Sequence, residues 1–199
     1  MKTKRKMKNQ KKLEFLEKEV KNHIELVKIV FSPSFNENLI KISETIVDCI
    51  KNGNKILLCG NGGSSADCQH FCGEMVNRFK KEREPLPFIS LTTDTSVITS
   101  IGNDYSFEDI FSKQVKAIGK EKDILICFST SGESKNVIKA AKVAKEKKMK
   151  VISLTGKTPN TLEKISDFII SIQSKETEKV QQIHLIIYHL LCYLIEEEF

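Results

Sequence analysis

The sequence predicts an α/β fold: a five-stranded parallel sheet flanked by helices, with a helical hairpin at the N-terminus. Two observations favour this class. From residue 55 onwards, short apolar runs alternate with helix-like segments, an order typical of parallel sheets covered by helices. The runs are also continuously apolar rather than alternating, which indicates strands that are buried on both faces.

Five apolar runs are the candidate strands. They are KILLC (55–59), FISL (88–91), DILICF (123–128), KVISLT (150–155) and FIISI (168–172). Helix-like segments are expected near 65–79, 94–102, 106–119, 134–147 and 159–166, followed by a last helix over about 177–197. Because ligands of such sheets bind beyond the carboxyl ends of the strands, the residues after each strand are the candidates for a site.

Two amphipathic segments precede the sheet. Residues 10–30 and 34–52 carry apolar side chains mostly three or four positions apart, which predicts helices. We expect them to form a hairpin over 13–54 that packs on the remaining domain or on another subunit. Residues 55–199 then form the sheet-containing part, and with no linker or repeat between the parts we expect one structural domain overall.

The net charge of +6 lies mainly in the first residues. Residues 1–12 hold seven basic residues and no acidic one, which leaves 25 of the 32 basic residues against 26 acidic ones. A nearly neutral body argues against nucleic-acid binding, so we expect a mobile, solvated basic tail over 1–12.

The lengths of the apolar runs and the pattern of cysteines indicate the cellular compartment of the protein. No run reaches the roughly 18–20 apolar residues that a membrane span needs, and the N-terminus lacks the apolar stretch of a secretory signal. Cys68 and Cys72, four residues apart, could share a metal, but without a second pair at zinc-site spacing the six cysteines are better interpreted as buried thiols. A cytoplasmic protein that does not bind membranes is expected.

A glycine turn follows the first predicted strand. Asn61, Gly62 and Gly63 predict a tight turn in which the backbone can approach a ligand closely, and Ser64 or Ser65 can cap the helix after it. An ordinary strand-to-helix turn has the same signature. The segment matches neither a Walker loop nor a GxGxxG fingerprint, so it gives a nucleotide site little support.

Four hydroxyl residues follow the third predicted strand. Ser129, Thr130, Ser131 and Ser134 surround Gly132 at the start of a helix, where exposed amides and the helix dipole favour an anion. A single helix cap needs only one hydroxyl, so a phosphate site is favoured over a cap without a ligand.

Histidine and glutamate share one face of the helix after the glycine turn. His70 and Glu74 are four residues apart, so together they could hold a metal, act as an acid–base pair, or form a surface interaction. Asn103 and Asp104, after the second strand and a short helix, offer an amide and a carboxylate to a hydroxyl-rich ligand, although an Asn-Asp step also favours a turn.

Three polar residues interrupt the last apolar helix: Gln181, His184 and His189. Gln181 and His189 are separated by about 80° and ~12 Å on an ideal helix, so one metal is hard to reach from both. Either the helix is distorted, or the two residues serve neighbouring copies of a site shared between subunits. We interpret His184 as a histidine that packs in the core or supports a neighbouring ligand, rather than as a ligand itself.

These segments resemble a known family. FSTSGES is similar to the S-x-S-G-x-S phosphate loop of the sugar isomerase (SIS) domain, which has a flavodoxin-like or Rossmann-like fold. GNGGSSADCQHF..E, GND, STSGES and Q..H....H, in this order, resemble the phosphoheptose isomerases, and the resemblance runs from about residue 10 to the end.

The resemblance implies an activity and its partners. The family converts sedoheptulose 7-phosphate to D-glycero-D-manno-heptose 7-phosphate through an enediol, the first step towards nucleotide-activated heptose for lipopolysaccharide or capsule. It implies a homotetramer with active sites between subunits and one divalent metal, most often zinc, in each subunit. The implied metal ligands are His70, Glu74, Gln181 and His189.

The resemblance also implies the roles of the remaining residues. Glu74 is the expected base and His189 its acid–base partner. The implied substrate contacts are Asn61, Gly62, Gly63, Glu74, Asn103, Asp104, Ser129, Thr130, Ser131, Ser134 and Gln181. The chain departs from the family at Gly73, where an acidic residue or alanine is frequent, at Glu178, where aspartate is usual, and in the charged segment QSKETEK before the last helix.

Two other functions fit the fold. One is a SIS-domain tetramer that binds a replication-initiator protein without turning over sugar, and the other is a SIS protein acting on a hexose phosphate. Retention of the full His/Glu/Gln/His set favours the isomerase over both.

Overall fold

The computed structural model describes the backbone of residues 2–199 and the side chains of residues 9–28 and 30–199. The chain forms two compact units, one ending at Glu37 and the other running from Asn38 to Phe199. The side chains of residues 1–8, most of the predicted basic tail, lie outside the described residues, so the mobility of that tail stays a prediction.

Two helices precede the sheet. Helix α1 spans Lys2–Val30 and α2 spans Pro33–Lys51; proline suits the first turn of a helix because its missing N–H would have no partner there. The part of α2 beyond Glu37 buries apolar side chains of the second unit: Leu39, Ile42, Ile46 and Val47. The two predicted helices are present, whereas their hairpin arrangement remains a prediction.

The predicted five-stranded parallel sheet is confirmed. Its strands are β1 (Ile56–Gly60), β2 (Phe88–Ser90), β3 (Ile124–Ser129), β4 (Lys150–Thr155) and β5 (Phe168–Ser171). Their order is β2-β1-β3-β4-β5, and every neighbouring pair is parallel. All residues of β1 and β3 are buried, as continuous apolar runs predict.

Helices follow each strand along the chain. They are α3 (Gly63–Val76), α4 (Thr95–Asp104), a 3-10 turn (Phe107–Asp109), α5 (Ser112–Ile118), α6 (Lys135–Glu146), α7 (Thr161–Ile165) and α8 (Thr177–Glu196). The single helix predicted near 106–119 is thus divided into a 3-10 turn and α5. No helix in the described part of the chain is long and apolar enough to cross a membrane.

All six cysteines are buried thiols, as predicted. Cys59 and Cys127 are register partners on β1 and β3, with their sulfurs 3.8 Å apart. Burial raises the pKa of Cys72 from 9.0 to about 12, so this thiol stays protonated at neutral pH and packs as a small apolar group.

The strand register brings the candidate loops to one edge of the sheet. Gly60, the last residue of β1, pairs with Phe128, and Ser129, the last residue of β3, pairs with Thr155 at the end of β4. The glycine turn and the hydroxyl-rich loop therefore begin on adjacent strands at the same edge, which is where ligands of such sheets bind.

Candidate active site

The glycine turn passes directly into α3. Gly62 has φ of +55° and is the N-cap of α3, without a side-chain capping bond. The expectation that Ser64 or Ser65 caps this helix is therefore wrong. The helix begins earlier, and the backbone N–H groups of these two serines donate to the carbonyls of Asn61 and Gly62, both at 3.0 Å.

Gln181 of α8 lies against this turn. A Cβ built on Gly63 would be 2.5 Å from Gln181 Nε2 and 2.8 Å from Gln181 Oε1, so a larger residue at this position would displace the Gln181 amide. The structure thus brings together two predicted site residues that are more than a hundred positions apart in the sequence.

A cluster of possible metal ligands lies on α3 and α8. One ligand atom from each of His70, Glu74 and His189 lies within 4.8 Å of the others. His70 Nε2 is 2.9 Å from Glu74 Oε1, and the rings of His70 and His189 are 5.0 Å apart, centre to centre. Imidazole nitrogen and carboxylate oxygen are ligands that zinc accepts, so the three side chains fit a divalent cation.

Gln181 occupies a different part of α8. It precedes His189 by eight residues, and α8 runs without interruption through both. A distorted helix, one of the two arrangements considered above, is therefore not what this chain forms. His184 is fully buried between them, with Nε2 3.3 Å from the carbonyl oxygen of Thr155, which agrees with a packing role.

Aromatic rings surround His189. Phe79 stacks on it at 5.7 Å with an interplanar angle of 15°, and Tyr188 contacts it edge-on at 4.9 Å. Burial lowers the pKa of His189 below its ordinary value, the neighbouring His70 lowers it further, and the charge of Glu74 opposes the shift. His189 is therefore neutral at pH 7, the form that can bind a metal or accept a proton.

A buried carboxylate lies one turn before His70. Asp67 is 9% exposed, and its Oδ2 has no hydrogen-bond partner among the described residues. Burial raises the pKa of Asp67 from 3.8 to about 6, although His70 acts in the opposite direction. Perturbed carboxyl groups of this kind are enriched at functional sites.

The hydroxyl groups after β3 converge on one another. Ser129 Oγ lies 3.0 Å from Ser134 Oγ and 3.4 Å from Ser131 Oγ. Ser134 is the N-cap residue of α6, but its hydroxyl makes no capping bond. A loop that served only to cap the helix would have used that hydroxyl, so the arrangement favours an anion site at this helix start.

The loop is held rigidly by its neighbours. Gly132 has φ of +68° and packs against the Asn160 side chain, and Glu133 accepts bonds from the backbone and hydroxyl of Thr161 at 2.7 and 2.6 Å. These contacts fix the loop against α7, which limits the reorganisation needed to bind a ligand.

A cavity of about 450 Å³ opens beside this loop. Its lining is rich in hydroxyl groups and contains two lysines: Thr130, Ser131, Lys157, Thr158, Pro159, Ser174, Lys175 and Thr177. The space matches the size of small-molecule sites, and its charge complements an anion.

Asn103 and Asp104 lie at the end of α4, where both are exposed and Asn103 Nδ2 donates to Asp104 Oδ1 at 2.9 Å. Nothing in this chain joins them to the His70 cluster by a described contact, so their contact with substrate remains a prediction.

Several residues near the candidate site were not predicted from the sequence. Tyr188 lies within an apolar stretch of the last helix, and nothing but its position directly before His189 distinguishes it. Asp67 precedes His70 by three residues on the same helix face, and this spacing could have identified Asp67. Lys157 and Lys175 belong to loops that only the fold brings to the cavity.

The fold and the site define a SIS-domain protein, and a family model of the SIS domain matches residues 21–156. The curated phosphoheptose isomerase 1 of Campylobacter jejuni is 46% identical over 187 residues, which cover 94% of this chain and 100% of that protein. The phosphoheptose isomerase of Maridesulfovibrio salexigens is 49% identical over 166 residues, covering 83% of this chain and 81% of that protein.

A solved phosphoheptose isomerase from Francisella tularensis superimposes with a TM-score of 0.89 at 37% identity, covering 94% of this chain and 98% of that one. The phosphoheptose isomerase of Neisseria gonorrhoeae gives a TM-score of 0.84 at the same identity and coverage. The chain therefore belongs to the phosphoheptose isomerase family.

Proposed function

We propose that this protein is a ketose–aldose isomerase that converts sedoheptulose 7-phosphate to D-glycero-D-manno-heptose 7-phosphate. The observation that carries the proposal is the grouping of His70, Glu74 and His189 within 4.8 Å, in a chain that matches phosphoheptose isomerases along nearly its whole length. The product would supply nucleotide-activated heptose for lipopolysaccharide or capsule, in the cytoplasm, where buried free thiols are stable.

The reaction moves a carbonyl group from C2 to C1. A base removes a proton from C1, an enediol forms, and a proton is returned to C2. We assign Glu74 as the base, because its carboxylate lies in the cluster and remains partly exposed, and His189 as its acid–base partner. The low pKa of His189 leaves it neutral and able to accept a proton from a substrate hydroxyl.

A divalent metal, most often zinc in this kind of site, fits the donor set of His70, Glu74 and His189, with Gln181 as the fourth ligand implied by the family. When bound, such a cation polarises a carbonyl or enediolate oxygen. A carboxylate bound to zinc is a weaker base, and a histidine nitrogen bound to zinc cannot accept a proton. The proposal therefore gives Glu74 and His189 two competing roles each, as metal ligand and in proton transfer.

The remaining predicted residues would bind the substrate. Hydroxyls of the phosphate loop (Ser129, Thr130, Ser131 and Ser134) and the amides at the start of α6 would hold the phosphate, far from the reacting carbons. The glycine turn with Gln181, and Asn103 with Asp104, would contact the sugar. Binding energy from the phosphate end would fix C1 and C2 against Glu74.

A homotetramer with sites between subunits is part of the proposal. It is supported by the position of Gln181, eight residues from His189 on one continuous helix, because a neighbouring subunit could then contribute to a site that one chain leaves incomplete.

The test is to supply purified, zinc-loaded protein with sedoheptulose 7-phosphate and to follow the aldose phosphate. We expect turnover, and we expect Glu74→Gln to lower kcat by about 10²–10⁴-fold. The matched control is Glu82→Gln, which removes an exposed carboxylate paired with Arg78. Activity that survives Glu74→Gln would keep the function and remove Glu74 as the base; absence of turnover by a zinc-loaded tetramer would contradict the function and favour a binding protein.

The metal-ligand role of Glu74 is separable from its role as base. Zinc content of the Glu74→Gln protein, measured after dialysis, reports on ligation without any turnover. Full zinc content with no activity would assign Glu74 to proton transfer, whereas loss of both would make it a ligand as well.

A further inference from the structure

Both ring nitrogens of His70 are engaged. Nε2 lies 2.9 Å from Glu74 Oε1, and Nδ1 lies 2.8 Å from the hydroxyl of Tyr188. The two contacts on opposite sides of the imidazole fix the rotation of the ring, so the tyrosine takes part in aiming Nε2 at the metal-binding cluster.

The hydrogen-bond direction follows from the chemistry of the partners. An ionised carboxylate can only accept, so in the metal-free protein Nε2 carries the hydrogen that Glu74 accepts. In a neutral imidazole Nδ1 is then an acceptor, and the Tyr188 hydroxyl donates to it.

Metal binding reverses this requirement. A cation at Nε2 needs the lone pair of that nitrogen, so the imidazole hydrogen must be on Nδ1, and the group facing Nδ1 must accept it. A carbonyl or carboxylate could serve only the metal-bound state, whereas a hydroxyl can donate in one state and accept in the other.

Tyr188 is held in place for this role. It is fully buried, and its ring stacks on Phe71 at 5.4 Å with an interplanar angle of 18°. It also meets the His70 ring edge-on at 5.5 Å. The hydroxyl therefore cannot move away when the hydrogen bond changes direction.

We propose that Tyr188 is a positioning residue of the metal group, which fixes the His70 ring and reverses the direction of its hydrogen bond when Nε2 binds a cation. This inference rests on the metal site of the proposed function. It goes beyond that function because neither the sequence motifs nor the family resemblance assigns any role to Tyr188.

A second residue supports the reversal. When Tyr188 accepts from Nδ1, its own hydrogen needs a new acceptor. Asp67 is buried on the face of α3 that carries His70, and its Oδ2 has no partner among the described residues. The negative charge of Asp67 also adds to the rise that burial causes in the Tyr188 pKa, and Asp67 lies three residues before His70 on α3.

The test compares Tyr188→Phe with Tyr193→Phe, which removes a hydroxyl from an exposed ring on the same helix. Zn²⁺ binding to the metal-free proteins is measured by calorimetry. The His70 tautomer is measured by ¹⁵N NMR with and without Zn²⁺, and His70→Gln identifies the signals of this residue.

In the wild type we expect the imidazole hydrogen of His70 on Nε2 without zinc and on Nδ1 with zinc. Tyr188→Phe should keep the hydrogen at Nε2 in the metal-free protein, because Glu74 still accepts it there, but it should weaken zinc binding about 10–100-fold. Tyr193→Phe should match the wild type.

Unchanged zinc affinity in Tyr188→Phe, or a hydrogen that stays on Nε2 of His70 when the wild type binds Zn²⁺, would overturn the inference, whatever the activity. Asp67→Asn provides a second test. It should weaken zinc binding but leave the hydrogen of the metal-free His70 on Nε2. An unchanged zinc affinity would show that Asp67 takes no part in the reversal. A wild type that takes up no zinc would refute the metal site of the proposed function, and with it the reversal.

Discussion

The side-chain amides of Asn61 and Asn136 donate to each other's oxygens, at 2.9 and 2.8 Å. Asn61 belongs to the glycine turn after β1, and Asn136 lies in the first turn of α6, next to the phosphate loop. The oxygen of Asn136 also accepts from the backbone N–H of Val137 at 2.9 Å. This pair of amides thus links the glycine turn to the start of α6 beside the phosphate loop, two segments proposed to bind opposite ends of the substrate.

Replacing Asn136 with Asp should separate the two loops. The carboxylate would place an acceptor against the Asn61 oxygen, and the buried acceptor left without a donor should cost about 1–3 kcal/mol of unfolding free energy. We expect kcat/KM to fall about tenfold, because both loops lose their common anchor. Urea unfolding measures the loss of stability, and steady-state kinetics measures the loss of kcat/KM. The control Asn52→Asp, at an exposed amide, should change neither quantity. An Asn136→Asp protein with wild-type stability would contradict the coupling of the two loops.

The two lysines of the cavity beside the phosphate loop should govern substrate affinity. Lys157 and Lys175 line it together with Thr130 and Ser131, so their charge would attract the substrate phosphate in both the ground state and the transition state. The double variant Lys157→Met/Lys175→Met should raise KM about tenfold at low salt, with kcat unchanged. Lys164→Met, on α7, is the matched control. A fall in kcat at constant KM would show instead that the lysines act on the reacting carbons.

Two glycines on α3 should respond differently to alanine. At Gly63 a Cβ would meet the Gln181 amide, so Gly63→Ala should displace the end of this flexible side chain and lower kcat/KM by about tenfold, with little change in stability. Gly73, inside the same helix, has open space around the Cβ position, so Gly73→Ala should raise stability by up to about 1 kcal/mol and leave turnover intact. Thermal unfolding and kinetics of both variants test the pair; equal behaviour would contradict the close packing at Gly63.

A buried ion pair joins the loop after α3 to the end of α8. Arg83 Nε lies 3.5 Å from Glu196 Oε1, and the side chains are 2% and 3% exposed. Arg83 also donates to the carbonyl of Glu74 at 3.0 Å, so it helps to hold the C-terminal end of the helix that carries the proposed base. Arg83→Met should lower the unfolding free energy by about 1–3 kcal/mol, because Glu196 loses its counter-charge but still accepts from the backbone N–H groups of Phe79 and Lys80.

Lys81 provides the control for this pair. Its ammonium is 2.7 Å from Glu197, which links the same two segments, but both side chains are about half exposed or more. Lys81→Met should cost less than about 1 kcal/mol. If urea unfolding gave equal losses for the two variants, the burial of the Arg83 pair would not be the source of its effect.

The buried His184 should make stability depend on pH. Burial lowers its pKa from 6.5 to about 4, with the Thr155 carbonyl opposing the shift. Between these values the unfolded chain binds a proton that the folded protein excludes, so stability should fall as the pH drops from 6.5 to 4, by about 3 kcal/mol in total. In His184→Gln this part of the slope should disappear from unfolding free energies measured across that range; an unchanged slope would assign it to other groups.

The strands could be predicted from the sequence because each is a continuous apolar run, and the metal cluster was partly visible because His70 and Glu74 are neighbours on one helix turn. The pairing of Asn61 with Asn136 and of Arg83 with Glu196 was not predictable. The first pair joins segments 75 residues apart through two hydrogen bonds, and the second joins segments more than a hundred residues apart through an ion pair. No local periodicity encodes such a partner. The start of α3 was placed late because serine is a stronger capping signal than the glycine that the turn actually uses.

The strand order β2-β1-β3-β4-β5 has a consequence for how substrate preference could diverge. The chain leaves β1 and β3 in opposite directions, so the crevice between them separates two independent sets of connections. The proposed base Glu74 belongs to one set, through α3. The phosphate loop after β3 and the cavity-lining loops after β4 and β5 belong to the other set, together with His189 on α8. Lengthening the loops after β4 and β5 would adapt the protein to sugars of another length, and the spacing of His70 and Glu74 would not change.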